Sequence, residues 1–208
     1  MHYYTVRNHS KVHVIFWISA ISVLITPVVN QLVEWIVDKN ITISNIYHQL
    51  GIIGISFSGV LIFTCLWFLF KNFIWKLFSK VSIPNISGHY LCTGIGEKYS
   101  QNDVTNNWSG VIEIEQSYDE LFVKLTTEKS KSHSYSLVGD LEKRDNNEVV
   151  LSYMYENEPY KTEEGLNQHK GFCRLTFNLK DGSASGRYYT DCDRSSYGTM
   201  NLKRWNRK

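Results

Sequence analysis

Two uncharged apolar runs, Val12 to Val29 and Leu50 to Phe70, occupy the first third of the chain and constrain everything else about it. A hydrocarbon core about 30 Å thick needs roughly 20 apolar residues of helix at 1.5 Å each. The second run has 21 residues without a charge; the first has 18 and continues weakly through Leu32, Val33, Trp35 and Ile36. Both reach across a bilayer if Asn30, Gln31 and Glu34 sit in the headgroup layer, and Pro27 is expected to kink the first. A cleaved secretory signal is the competing reading of the first run, because Arg7 and Lys11 precede it. The missing small-x-small cleavage site, the length of the run and the second span close behind argue against that. Buried core helices are disfavoured, since both runs are apolar all round and the chain has no large core to enclose them.

Charge predicts the orientation. Arg7 and Lys11 precede the first span, Lys71, Lys76 and Lys80 follow the second, and Glu34, Asp38 and Lys39 lie between. This excess outside the hairpin turn places both termini in the cytoplasm and the Asp38 to His48 loop on the far side. Trp17, Trp35, Trp67 and Trp75 lie near the span ends, where aromatic rings anchor at the interface. Small residues at helix-packing intervals, Ser22-x-x-x-Thr26 and Gly54-x-x-x-Ser58, suit close helix approach within or between chains. No Asp, Glu, Lys or Arg interrupts either run to mark an ion pathway.

The segment from Asn85 onward is 124 residues, the size of one domain. It carries 16 Lys plus Arg against 18 Asp plus Glu, a mildly acidic balance that argues against non-specific binding to a nucleic acid backbone. Of four cysteines, Cys65 lies in a span and Cys92, Cys173 and Cys192 are scattered without a Cys-x-x-Cys pair. A reduced cytosolic domain fits this better than a disulfide scaffold or a zinc site.

From Ser87 the sequence alternates in short segments separated by turn residues. Eight strands are predicted, at about 88–95, 107–116, 121–128, 132–142, 148–156, 168–179, 183–191 and 198–205. Turns at Tyr118-Asp119-Glu120, Asp145-Asn146-Asn147 and Lys180-Asp181-Gly182 separate them. The fold class expected is therefore membrane α plus all-β: a two-helix transmembrane hairpin over residues 1–80, with spans at about 12–33 and 50–70 and a basic linker, then an eight-stranded antiparallel up-and-down β-barrel over 82–208. An open sandwich is the alternative. Alternation turns Leu121, Val123, Leu125, Cys173, Leu175, Phe177 and Leu179 inward, together with Trp108, Ile112, Ile114, Leu151, Tyr153, Tyr155, His169, Tyr188, Thr190, Met200 and Leu202. The apolar members fall at one end of the strands and the polar ones at the other, giving a plugged base and a hydrogen-bonding mouth.

The densest polar-aromatic stretches are Tyr153 to Tyr160, His169-Lys170-Gly171 and Gly186 to Thr190, with Arg194 and Tyr197 in the last loop. Rings stack on nucleobases and polar groups hold phosphates or read base edges, so a nucleotide is a plausible occupant. The plainer reading makes the tyrosines ordinary strand residues, His169 a barrel-end histidine, and Gly171 and Gly186 sites of bulges or close packing. Gly94-x-Gly96 reads as a turn at a strand end. No Gly-x-Ser-x-Gly, Walker loop or paired metal-ligand spacing is present, so no catalytic residue and no metal is expected. His169, Asp191, Asp193 and Ser195 make a triad only on paper.

The order of two spans, a basic aromatic linker Lys71 to Lys80, Ile83-Pro84 and a strand-rich head resembles the two-transmembrane, β-strand-rich effectors of bacterial cyclic-oligonucleotide antiphage defence. The spelling of the head agrees: Ser87-Gly88-x-Tyr90, Leu151-x-Tyr153-x-Tyr155-x-Asn157-x-Pro159, His169-x-Gly171, Gly186-x-Tyr188-Tyr189-Thr190 and Gly198-x-Met200-x-Leu202-x-Arg204. Gly88-x-Tyr90 with Arg204 is also similar to the base of lipocalin barrels. The resemblance implies an inner-membrane protein with a cytoplasmic barrel. That barrel binds a cyclic dinucleotide from a partner nucleotidyltransferase, and ligand-driven homo-oligomerisation of the spans then disrupts the membrane and arrests the infected cell. Tyr153, Tyr155, Asn157, His169, Tyr188 and Thr190 would line or rim the pocket, with Trp108 and Arg194 contributing. The resemblance allows the opposite sign as well, a nucleotide that holds the effector silent until a phage sequesters it. A tethered barrel for a lipid or other apolar ligand, and a tethered hydrolase, are the other classes.

Overall fold

The computed structural model describes residues 1–7, 9–37, 39, 51–78, 83–98, 101–129, 132–144, 147–158, 168–192 and 195–205. The predicted far-side loop, Asp38 to His48, lies outside them except for Lys39. The chain divides into two compact units, one formed by Met1–Asn8 with Phe78–Lys208 and the other by His9–Leu77. The expected boundary near residue 81 is thus incomplete, because the first residues of the chain fold with the strand-rich unit.

The helical unit holds α1 (Lys11–Val37), α2 (Gly51–Asn72) and a 3-10 turn at Ile74–Phe78. Helix α1 runs on through Pro27, so the proline does not end it. Its Lys11–Leu32 stretch, with mean hydropathy 2.2, is the one helix among the described residues long and apolar enough to cross a membrane; α2 adds a shorter apolar stretch, Gly59–Asn72. The helices pack on each other. Ile18 and Ser22 are buried, and a Cβ at Gly59 would lie 3.6 Å from Thr26 Oγ1, so Ser22, Thr26 and Gly59 let α1 and α2 approach closely, while the side-chain surroundings of Gly54 and Ser58 lie outside the described residues. Phe16, Trp17, Leu24 and Val28 point outward, an apolar surface that water would not tolerate cheaply.

The other unit holds β1 (His2–Val6), β2 (Gly88–Lys98), β3 (Gln101–Gln116), β4 (Glu120–Thr127), β5 (His133–Lys143), β6 (Glu148–Glu158), β7 (His169–Asn178), β8 (Ser183–Thr190) and β9 (Ser196–Arg204). Strands β2 to β9 pair antiparallel with their neighbours in chain order, β9 pairs with β2, and the sheet closes into a barrel. The expected count of eight is corrected to nine by β1. It runs antiparallel to β4, with His2 opposite Leu121, and parallel to β5, with Tyr4 to Val6 opposite Gly139 to Leu141. A ring with an odd number of strands must contain one parallel pair, and β1–β5 is it. Beyond β1, β4 and β5 meet directly over only the three pairs from Lys124↔Tyr135 to Thr126↔His133. Five residues ahead of an apolar run read as a membrane flank, so nothing local marks them as a strand.

Inward alternation builds the base from Ile112, Ile114, Leu121, Leu141, Leu151, Leu175, Phe177 and Leu202, all buried. Leu179 is the exception to the predicted set: it follows the end of β7 and is 39% exposed. Tyr90 closes the base, its ring edge-on to Phe177 at 5.5 Å and its hydroxyl donating to Ile86 O at 2.8 Å. Arg204 Nη2 donates to Ser87 O at 2.8 Å, and a Cβ at Gly88 (φ 148°) would come within 3.3 Å of the guanidinium.

Gln116 fastens the chain at both ends of the helical unit. Its Nε2 donates to Tyr4 Oη (3.1 Å) and to Pro84 O (3.0 Å), while its Oε1 accepts from Ile86 N (2.9 Å). The Tyr4 hydroxyl in turn donates to Ser117 O and Tyr118 O, and burial pushes its pKa well up. Arg7, expected as a membrane-flank cation, pairs with Asp140 at 2.9 Å and Glu142 at 3.4 Å on β5.

Candidate functional site

Above the apolar base the barrel holds a cavity of about 360 Å³, and Trp108, Tyr153, Tyr155, Asn157, His169, Tyr188 and Thr190 all line it. Arg194 lies outside the described residues. Each of the seven is placed by strand parity: Trp108 has the parity of Ile112 and Ile114 on β3, Tyr153, Tyr155 and Asn157 alternate on β6, His169 shares the inner face of β7 with Cys173, and Tyr188 and Thr190 share that of β8.

Two aromatic pairs occupy separate arcs of the wall. Trp108 and Tyr188 meet edge to face at 5.9 Å and 72°, the indole Nε1 donating to the Tyr188 hydroxyl at 3.0 Å. Tyr155 and His169 meet at 6.4 Å and 84°. Glycines make room for both. A Cβ at Gly94 would overlap the Trp108 indole, one at Gly96 would lie 2.8 Å from the Tyr188 hydroxyl, and one at Gly171 would overlap the Tyr155 ring. The reading of Gly94-x-Gly96 as a turn is therefore corrected: both lie within β2, opposite Trp108 and Asn106. Gly94→Ala is expected to push the indole off the wall and weaken ligand binding roughly ten-fold, as removal of a stacking ring does. A titration in which that variant matches the parent would show the indole plays no part.

Polar groups collect at the mouth. Thr190 Oγ1 accepts from Ser196 N at 2.8 Å and donates to Ser196 O at 3.1 Å, so this hydroxyl clips β8 to β9. Ser132, Ser134, Thr127 and Lys129 from the β4–β5 end also line the cavity, as do Asn106, Asn107 and Glu97. None of these stood out from the sequence. The signal was Ser132-x-Ser134-x-Ser136, whose three serines are all buried. A bulge between Ser136 and Val138 hides it by shifting the phase, so that Leu137 and Val138 are both exposed and Leu141 is buried again. Among the described lining residues Lys129 is the one Lys or Arg and Glu97 the one carboxylate, which makes the cavity a hydrogen-bonding rather than a strongly charged site.

The buried nucleophiles are quiet. Burial pushes the Cys173 thiol up to about 12, with a hydrogen bond from Tyr153 acting against it, and the Cys92 thiol up to about 12. The Tyr153 phenol is likewise held well above its ordinary value by burial. Of the residues that make a triad on paper, Ser195 Oγ donates to Cys192 O at 2.8 Å and Asp191 Oδ2 accepts from Lys170 N at 2.7 Å, while Asp193 lies outside the described residues.

A closed sheet enclosing an aromatic-walled, polar-mouthed cavity, joined to an apolar helix pair, defines a membrane-associated receptor for a small ligand. Residues 81–204 match the Cap15 cyclic dinucleotide receptor domain and residues 12–76 match the Cap15 TM helices. CD-NTase-associated protein 15 of Yersinia aleksiciae is 31% identical over 153 residues, which are 72% of this chain and 70% of that protein. The chain belongs to the Cap15 family.

Proposed function

We propose that the protein is a cyclic-dinucleotide-responsive effector of antiphage defence, a receptor rather than an enzyme. Its barrel, a cup of lipocalin type, binds a nucleotide made by a partner nucleotidyltransferase. The observation that carries this reading is the pair of aromatic walls around one cavity: a cyclic dinucleotide has two bases, and rings on separate arcs give each a face to stack on. The cavity volume lies within the ordinary range for small-molecule pockets, about 300–1,000 Å³. The mouth built from Ser132, Ser134, Asn157 and His169 favours a polar guest over an acyl chain.

Strand β1 supports a hairpin in the membrane. Residues ahead of α1 and residues after α2 belong to one folded unit, so a chain that enters the bilayer through α1 must return through α2. The Lys-rich flanks support a cytoplasmic position for that unit, at the inner membrane of a bacterium. A ligand shifts a two-state equilibrium only by its differential affinity, so occupancy of the cup must favour one packing of protomers over another. Oligomerisation then concentrates the spans and breaches the membrane.

The full chain in lipid vesicles is expected to release an entrapped dye in response to a cyclic dinucleotide. A chain lacking residues 11–72 is expected to bind the nucleotide and release nothing. Release by the helix-less chain would overturn the mechanism, and displacement of the nucleotide by a fatty acid would favour the apolar-ligand reading.

A further inference from the structure

The amide of Asn157 has a fixed polarity. Its Nδ2 donates to Ser134 Oγ at 2.8 Å and to the His133 carbonyl at 3.3 Å. A backbone carbonyl only accepts, so the amide cannot be reversed without setting two oxygens against each other. Asn157 is 7% exposed, and its Oδ1 makes no hydrogen bond among the described residues. Ser134 Oγ takes part in that one bond as acceptor, so its own O–H is unspent among the described residues. Both residues line the cavity and pair in register across β5 and β6. The wall therefore offers an acceptor beside a donor.

We propose that Asn157, with Ser134 beside it, is a specificity-determining contact to the edge of one nucleobase. Oδ1 accepts from a ring or exocyclic N–H, and Ser134 Oγ–H donates to the adjacent ring nitrogen or carbonyl. This inference rests on the cyclic-dinucleotide reading above and assigns a role within it. A phosphodiester is the wrong partner, because its oxygens accept only and would face the lone pairs of Oδ1. Placement favours a base over a ribose hydroxyl. Asn157 pairs in register with His169 and lies two residues from Tyr155 on the same face, at the margin of the ring wall where a stacked base presents its edge.

The test uses the full chain in lipid nanodiscs and a panel of cyclic dinucleotides bearing adenine, guanine, cytosine and uracil. The tightest binder is then compared with its counterparts methylated at the base N–H groups, one base at a time, and with its 2′-deoxy counterpart. Methylation of one base is expected to weaken binding to the parent protein roughly ten-fold, the upper range for one neutral hydrogen bond, and to leave binding to Asn157→Leu unchanged. Ser134→Ala, which keeps the amide bonded to His133, is expected to lose roughly three-fold and to become indifferent to removal of the neighbouring ring acceptor. Equal methylation penalties in parent and variant, or a loss on 2′-deoxygenation that Asn157→Leu abolishes while the methylation penalty stays, would overturn the base assignment while cyclic-dinucleotide binding stands. If no member of the panel binds the parent protein, the functional reading itself fails and the inference with it.

Discussion

Replacing Tyr155 or Trp108 by alanine is expected to weaken cyclic-dinucleotide binding by one to two orders of magnitude each. Each substitution removes a ring face, and base–aromatic stacking is worth about 1–3 kcal/mol per base. Trp108→Ala does further harm by depriving the Tyr188 hydroxyl of its indole donor. Tyr155→Phe keeps the ring and is expected to stay within about three-fold of the parent, because only one hydroxyl is lost. His169→Ala removes the edge that holds Tyr155 upright and should fall between the two. Isothermal titration on the full chain separates these cases. Parental affinity in both alanine variants would take the aromatic walls out of the site, and a Tyr155→Phe loss as large as Tyr155→Ala would move the interaction from the ring to the hydroxyl.

Gln116→Leu is expected to destabilise the barrel by about 2 kcal/mol or more. The substitution keeps the volume of the side chain but removes the partners that Gln116 gives Ile86 N and Pro84 O in a buried place, at about 1–3 kcal/mol per unsatisfied group, and takes one bond from the Tyr4 hydroxyl, which still donates to Ser117 O and Tyr118 O. Gln116→Glu keeps an acceptor for Ile86 N and loses the two donated bonds, so it too should unfold early. Thermal unfolding of the detergent-solubilised protein measures both. A loss below about 1 kcal/mol would mean that water reaches these groups. Because Gln116 holds the strand before α1 and the linker after α2, loosening it is also expected to blunt ligand-triggered dye release more than it blunts ligand binding.

The sequence carried the large features of this fold because they rest on periodicity. The uncharged runs became α1 and α2, and all eight alternating segments became strands in the expected order. Parity on β6, β7 and β8 brought Tyr153, Tyr155, Asn157, His169, Tyr188 and Thr190 to one cavity, although they span 38 residues of sequence. Three features were hidden for separate physical reasons. Strand β1 is too short to show alternation, and its partners lie more than a hundred residues away. The serine face of β5 is masked by a bulge that shifts the phase by one residue. The role of Gly94 and Gly96 depends on what lies across the strand pair, and a glycine by itself reads equally well as a turn.

The wedge made by residues 2–6 bears on how the receptor should be prepared. A soluble fragment cut to begin after the helices is a vessel missing one stave: Leu121 and Gly139 lose their neighbour, and Ser136 Oγ loses His2 Nε2 at 2.8 Å. The gap opens directly beneath the three residue pairs that close β4 on β5, whose residues Leu125 and Ser134 line the cavity. Such a fragment is expected to bind its ligand more weakly than the full chain, and adding back a peptide of the first seven residues should tighten it.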